Sequence, residues 1–113
     1  MSETDSTSQL RRGVLELCIL RLLAEKASYG YEVVTTFERL GPLATGENTV
    51  YPLLRRLKSD KYLETFEVES PSGPPRQYYR LTQRGQQRLK SLQSEWTDLA
   101  QAVERCLTHG GKA

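Results

Sequence analysis

Histidine and cysteine are scarce in this 113-residue sequence, which contains one histidine and two cysteines. His109 lies in the Gly-rich stretch HGGKA, and Cys18 and Cys106 are far apart with no CxxC pair. The sequence also has no G-x-S-x-G, Gly-rich phosphate loop or HExxH motif. Metal sites and nucleophile–base pairs depend on such clusters. We therefore expect no enzyme activity, no metal and no cofactor, and we expect both cysteines to be buried thiols.

Long apolar runs are absent too, so no membrane-spanning helix is expected. The first residues, MSETDSTS, are acidic and polar, without the basic start and apolar stretch of a signal peptide. We expect a cytoplasmic protein whose residues 1–8 form a mobile tail. Neither sign of charge is in large excess, because the sequence contains 16 Lys and Arg residues and 14 Asp and Glu residues. The net charge alone therefore neither requires nor forbids a nucleic-acid partner.

Two helices are predicted in the first part of the chain. The first, Leu10–Lys26, has apolar residues on more than one face, which is typical of a helix buried on several sides. Because the protein is so small, we expect one of these apolar faces to contact a second subunit. The second helix, Tyr29–Leu40, would be capped by Ser28 and ended by Gly41-Pro42.

The third predicted helix would be capped by Thr45 and has its apolar positions at Val50, Leu53, Leu54 and Leu57. Pro52 is compatible with a helix only within the first turn. Either the regular helix begins near Asn48 or its first turn is distorted.

A change to a period of two predicts a β-hairpin after this helix. Its strands would be Leu63–Ser70 and Arg76–Leu81, joined by the five-residue loop Pro71–Pro75. Three helices followed by a hairpin is the order of a winged helix-turn-helix. In that fold the third helix enters the major groove of DNA and the hairpin, or wing, contacts the flanking backbone.

Thr82 is expected to cap a final helix, roughly Gln83–Leu107. Apolar residues on it are spaced three and four apart, which is a heptad seam. The seam consists of Leu89, Leu92, Trp96, Leu99, Val103 and Cys106. Such a helix either packs on its own domain or pairs with a partner helix, and the position after a hairpin favours dimerisation. The predicted fold is mainly α with a small hairpin: a winged helix-turn-helix over residues 9–82, a dimerisation helix over 83–108 and a tail over 109–113.

The outer side of the third helix combines short hydrogen-bonding residues with later cations, a pattern typical of a helix that reads base edges and reaches phosphates. Asn48 can pair with adenine, and Arg55 can reach guanine or phosphate. A plain solvated helix face is the alternative interpretation. Residues 55–90 carry nine Lys and Arg against four Asp and Glu, which favours DNA. Arg76 at the wing tip is expected to contact DNA, whereas Arg84 and Arg88 are expected on the wet side of the last helix.

Six tyrosines exceed the two phenylalanines and one tryptophan. Tyr29 and Tyr51 stand at helix starts, where phenols donate to phosphates, whereas Tyr79 is expected in the core.

Four stretches of the sequence together resemble the PadR family of bacterial transcription factors. They are LRRGVLELCILRLL at 10–23, YGYE at 29–32, NTVYPLLRRL at 48–57 and GPPRQYYRLTQRG at 73–85. The single C-terminal helix is similar to that of the compact subfamily. The resemblance implies a dimeric winged-helix regulator, usually a repressor, that binds a palindromic operator and is released by a small molecule. The DNA contacts that it implies fall on Tyr29, Asn48, Thr49, Tyr51, Arg55 and Arg76.

In compact multidrug-sensing members, a tryptophan of the last helix lies at the dimer centre and stacks on planar ligands, and Trp96 matches that position. The resemblance thus implies a possible small aromatic effector beside Trp96, Val14, Leu92 and Leu99. The alternative is that Trp96 only fills the dimer seam. Lys61 stands where the family usually has glycine after the third helix, so either Lys61 adopts a positive φ or the turn differs. A winged-helix module for protein interaction, without DNA binding, is the alternative function.

Overall fold

The computed structural model describes the backbone of residues 3–110 and the side chains of residues 13–109. Its elements, in chain order, are α1 Glu3–Glu25, β1 Ser28–Tyr29, α2 Gly30–Glu38, a 3-10 turn Gly41–Leu43, α3 Glu47–Ser59, β2 Leu63–Ser70, β3 Gly73–Leu81 and α4 Gln83–Gly110. The three strands form one antiparallel sheet in the order β1-β3-β2. The predicted fold class is confirmed: a mainly helical winged helix-turn-helix followed by a long C-terminal helix.

The core lies where α1, α2 and α3 meet the inner face of the sheet and the start of α4. Each helix contributes residues at helical spacing, such as Ile19 and Leu23 of α1, and each is almost fully buried. Among side chains 13–109, the buried core residues are Leu15, Ile19, Leu20, Leu23, Val33, Val34, Phe37, Val50, Leu54, Leu57, Leu63, Tyr79 and Leu89. Tyr79 is a core residue as predicted.

The helix α1 begins at Glu3, within the segment that we expected to be a tail, so that boundary was wrong for residues 3–8. This segment contains neither proline nor glycine, so nothing in its backbone stops the helix. Residues 1–2 of the predicted tail lie outside the described residues. At the other end, His109 and Gly110 belong to α4 rather than to a tail, and residues 111–113 lie outside the described residues.

The start of α2 also differs from the prediction. Ser28 and Tyr29 form the short strand β1, so the expected cap by Ser28 was wrong. Tyr29 is the N-cap residue, and its backbone N–H donates to Glu32 Oε1 at 3.1 Å. Ser28 pairs with Tyr79, and Tyr29 pairs with Tyr78. This pairing provides partners for the backbone N–H and C=O groups of β1 and fixes the start of α2 to the sheet.

The helix α3 continues through Pro52, which lies in its second turn. We had expected a proline to be tolerated only in the first turn. Gly46, not Thr45, is its N-cap residue, and the Gly46 carbonyl accepts from both Thr49 and Val50 at 3.1 Å. Pro52 is exposed and lies on the side of α3 that faces away from the core.

The helix α3 ends at a left-handed residue. Lys61 has φ of 70°, so the first of our two alternatives for this turn is confirmed. The Lys61 N–H donates to the Lys58 carbonyl and the Tyr62 N–H donates to the Leu57 carbonyl, each at 3.0 Å. These two bonds form a Schellman cap, for which glycine is the usual residue at the left-handed position.

The wing has a tighter turn than predicted. The strand β3 begins at Gly73, with Ser70 paired to Gly73, so Pro71 and Ser72 alone form the turn in place of a five-residue loop. Gly73 has φ of 144°, which only glycine adopts readily. The two prolines of β3 follow at the register shift between Val68 and Ser70, where β3 has one residue more than β2, and such a bulge tolerates proline.

Thr82 caps α4 as predicted, because its hydroxyl accepts from the Gly85 N–H at 2.9 Å. Beyond its first turns, α4 extends away from the core, and its later apolar residues are exposed. Cys106 is among these exposed residues and Cys18 is half-buried, so the expectation that both thiols are buried was wrong for Cys106. Burial raises the pKa of the Cys18 thiol above its ordinary value.

Candidate nucleic-acid interface and apolar groove

The outer stripe of α3 is fixed by the residues that its inner side buries. Val50, Leu54 and Leu57 point into the core, so with 3.6 residues per turn the opposite side presents Asn48, Pro52 and Arg55. Asn48, Thr49 and Arg55 are all exposed. The structure thus places three of the predicted DNA-contacting residues on the solvent side of α3.

Tyr51 differs from its exposed neighbours because it is half-buried. Its ring lies so close to Gly30 at the start of α2 that a β-carbon there would collide with it. Burial and, next, the negative charge of Glu47 raise the pKa of Tyr51. The phenol therefore stays protonated at neutral pH and can donate a hydrogen bond.

The wing brings Tyr29 and Arg76 together although they are 47 positions apart in sequence. The Arg76 guanidinium carbon lies 4.6 Å from the centre of the Tyr29 ring. Tyr29 in turn contacts Tyr78 with ring centres 5.4 Å apart, and Tyr78 contacts Phe66 at 5.7 Å. This row of side chains covers the outer face of the sheet and supports Arg76 beside the start of α2.

Other arginines of the basic stretch are held by acceptors of the chain itself. Arg80 donates to Glu64 at 2.8 Å in the wing, and Arg84 donates to the Asp60 carbonyl at 3.2 Å. The Arg88 side chain donates to Glu16 at 2.8 Å and its pKa is raised by that hydrogen bond. The expectation of a simply solvated Arg88 was therefore wrong, because α1 supplies a carboxylate at this position.

Glu16 is a residue that the sequence reasoning missed. Its carboxylate accepts from Arg56 of α3 and from Arg88 of α4, each at 2.8 Å. The signal was present: a carboxylate stands between Leu15 and Leu17 in an otherwise apolar stretch of α1. Long cationic side chains on two other helices complete the site.

An open apolar groove of about 630 Å³ lies between α1 and α4. All four residues predicted to surround an aromatic effector line it, namely Trp96, Val14, Leu92 and Leu99. Among the described residues, Gly13, Leu17, Glu95, Ala100 and Val103 also line it. Its volume lies within the range of about 300–1,000 Å³ typical of small-molecule sites.

The predicted dimerisation seam divides into two parts. Leu89 is buried in the core of its own chain and Leu92 is half-buried, so neither is widely exposed. Further along α4, Trp96, Leu99 and Val103 are 46, 58 and 49% exposed, and Cys106 is exposed as well. The exposed part of the predicted seam is thus the second half of α4.

Two classes of site are not found in the described residues. No group of three or more His, Cys, Asp or Glu side chains is placed to hold a metal ion. None of the helices within this part of the chain is long and apolar enough to cross a membrane.

Residues 19–91 match the Transcriptional regulator PadR-like family. The chain belongs to this family. A crystal structure of a PadR family transcriptional regulator from Eggerthella lenta is 34% identical, with a TM-score of 0.83 over 92% of this chain and 90% of that one. A PadR-like transcriptional regulator from Bacillus cereus is 35% identical, with a TM-score of 0.80 over 88% of this chain and 97% of that one.

An uncharacterized protein of Lysinibacillus sphaericus is 31% identical over 99 residues, which are 86% of this chain and 91% of that protein. PadR-family proteins are transcriptional regulators that bind DNA, and they are not enzymes. This chain is therefore a DNA-binding transcriptional regulator at the level of its family.

Proposed function

We propose that this PadR-family chain acts as a homodimeric repressor that binds a palindromic operator and is released by a small aromatic molecule. The observation that carries the proposal is the outer stripe of α3, where Asn48 and Arg55 are exposed next to a wing that holds Arg76 on Tyr29. Because its DNA target lies in the cytoplasm, the protein acts there.

In the proposed complex, α3 enters the major groove. Asn48 offers the amide that pairs with adenine, and Thr49 can donate to a base edge or a phosphate. Arg55 contacts guanine or phosphate, while Tyr29, Tyr51 and Arg76 contact the backbone. The arrangement of these six residues supports the proposed DNA contacts, because all of them belong to α3, the start of α2 or the wing.

The second half of α4 is the proposed dimer contact. Trp96, Leu99, Val103 and Cys106 form a strip at seam spacing, and contact with a second chain would remove this apolar surface from water. Leu92 would border the strip, whereas Leu89 would support it from within the core. In a two-fold dimer the two copies of α3 would enter successive major grooves, roughly 34–36 Å apart.

The groove beside Trp96 is the proposed effector site. A planar aromatic molecule would stack on Trp96 and contact Val14, Leu92 and Leu99. It can release DNA only if it binds the DNA-free arrangement of the two subunits more tightly than the DNA-bound one.

The deciding experiment measures binding to duplex DNA selected from a random pool, by anisotropy of the labelled DNA at several salt concentrations. About 6–10 phosphate contacts per dimer would make log K fall steeply with log salt. Arg55→Ala with Arg76→Ala should lower the slope by about 1 for each phosphate that the variant no longer neutralises. Arg21→Ala is the control for loss of a positive charge outside α3 and the wing, because Arg21 belongs to α1, where it pairs with Glu25.

A flat salt dependence, or equal effects of Arg21→Ala and the double variant, would contradict the DNA face. It would instead favour a winged-helix module for protein interaction. The selected sequences test the dimer, since a homodimer selects two-fold sites. Planar aromatic compounds that leave Trp96 fluorescence and DNA binding unchanged would contradict the effector site alone.

A further inference from the structure

One carboxylate joins three helices of this protein. Glu16 of α1 accepts a hydrogen bond on Oε1 from Arg56 of α3 and another on Oε2 from Arg88 of α4, each at 2.8 Å. The Glu16 side chain is only 15% exposed, whereas Arg56 and Arg88 are 55 and 36% exposed. Charge-assisted bonds to a carboxylate sheltered from water are shorter and stronger than neutral ones.

The same stretch of α1 lines the groove on its other side. Val14 and Leu17 flank Glu16 in sequence and contact the groove that contains Trp96, whereas Glu16 points toward α3. A displacement of α3 that pulls on Arg56 would therefore act on the helix that forms the groove wall. Arg88 connects the same carboxylate to α4, which forms the opposite wall.

We propose that Glu16 is a positioning residue that links the outer stripe of α3 to the groove at Trp96 through Arg56 and Arg88. This inference rests on the proposed function, because it needs DNA at α3. Binding of duplex DNA at α3 changes the surroundings of Trp96 through this link. By reciprocity, a ligand in the groove changes the affinity for DNA by the same factor as DNA changes the affinity for the ligand.

The test uses the full-length protein and its single tryptophan as the probe. Labelled duplex DNA obtained by selection reports binding through anisotropy, and the emission of Trp96 is recorded in the same titration with unlabelled DNA. We expect the emission of the unaltered protein to change in proportion to the DNA bound. An unchanged emission at saturating DNA would overturn the link.

Glu16→Gln is the decisive variant and Glu64→Gln is its matched control. Both changes remove one negative charge. Glu64→Gln weakens one pair of 2.8 Å, with Arg80 within the wing, whereas Glu16→Gln weakens two pairs of 2.8 Å, with Arg56 and Arg88. The two variants therefore change the net charge of the chain by the same amount. We expect Glu16→Gln to lose most of the Trp96 response at saturating DNA and Glu64→Gln to keep it.

Arg56→Gln provides a second route if Glu16→Gln fails to fold, as judged by circular dichroism and thermal unfolding. It removes the connection to α3 but leaves the bond between Glu16 and Arg88. It too should lose the Trp96 response while it still binds DNA at saturation. Retention of the response in Glu16→Gln or Arg56→Gln, or its loss in Glu64→Gln as well, would overturn the proposal. Absence of DNA binding by the unaltered protein is a separate result in the anisotropy, and it refutes the proposed function itself.

Discussion

Arg76 stacks on Tyr29, with the guanidinium carbon 4.6 Å from the ring centre, and this contact connects the wing to the start of α2. The ring is supported from the side by Tyr78 at 5.4 Å. A cation over an aromatic face is stabilised by about 0.5–2 kcal/mol, depending on its exposure to water. The contact holds a long flexible side chain in one place before any DNA arrives, so less entropy is lost when a phosphate is bound.

The first prediction separates the role of the Tyr29 ring from that of its hydroxyl. Tyr29→Ala should weaken DNA binding because Arg76 loses its support, and its effect should not add to that of Arg76→Ala. The expected coupling in a double-mutant cycle is about 0.5–1 kcal/mol, measured by DNA anisotropy. Tyr29→Phe keeps the ring under Arg76 but lacks the hydroxyl that is proposed to contact the DNA backbone. It should bind more weakly than the unaltered protein and more tightly than Tyr29→Ala. If Tyr29→Phe binds as weakly as Tyr29→Ala, the hydroxyl rather than the stack is what matters.

The second prediction concerns the exposed half of α4. Leu99→Glu should produce monomers in sedimentation velocity, because a charge at the centre of the proposed contact would have to be buried. The fold of each chain should be retained, since Leu99 is 58% exposed without a partner. Val68→Glu is the control, because Val68 is also an exposed apolar residue but lies on the wing. Dimers of Leu99→Glu as stable as those of the unaltered protein would place the contact elsewhere.

The third prediction concerns the left-handed residue after α3. Lys61→Gly should raise the free energy of unfolding by about 0.5–1 kcal/mol, because glycine adopts φ of 70° without the steric cost of a β-carbon. Urea denaturation at constant protein concentration measures the change. Lys61→Ala removes the charge but keeps the β-carbon, so it should bring no such gain. An equal gain in both variants would point to charge rather than backbone strain.

The fourth prediction concerns the first turn of α4. A β-carbon at Gly85 would collide with the backbone carbonyl of Tyr62, an atom that cannot rotate away. Gly85→Ala should lower the free energy of unfolding by about 1–3 kcal/mol. The control is Gly13→Ala, also a helical glycine, which has open space around it. It should cause no loss, since alanine favours helix over glycine. Equal losses in thermal unfolding would contradict this account of Gly85.

The sequence predicted the parts of the fold that repeat a pattern. The spacing of Val50, Leu54 and Leu57 identifies the buried side of α3, and the alternation around Tyr79 identifies the wing. The short strand β1 could not be predicted in this way, because two residues are too few to show a period. The wing turn was missed because Pro74 and Pro75 disfavour a strand unless they lie at a bulge or beside an unpaired edge.

The candidate site was likewise predictable from the sequence only in part. Exposure of Asn48 and Arg55 follows from helical spacing once the buried side is known. The contact between Arg76 and Tyr29, and that between Glu16 and Arg56, join residues from distant parts of the chain. Such pairs depend on how the elements pack in three dimensions, about which local patterns carry no information.

Pro52 stands in the middle of the stripe that α3 would present to DNA, one turn after Asn48. Its pyrrolidine ring has neither a hydrogen-bond donor nor an acceptor, so at this position in the major groove of DNA the helix would present only an apolar surface. The base-pair edge that suits such a surface is the C5-methyl group of thymine. An operator read by this helix is therefore expected to favour T at the base step next to the adenine paired with Asn48, and uracil at that step would weaken the complex.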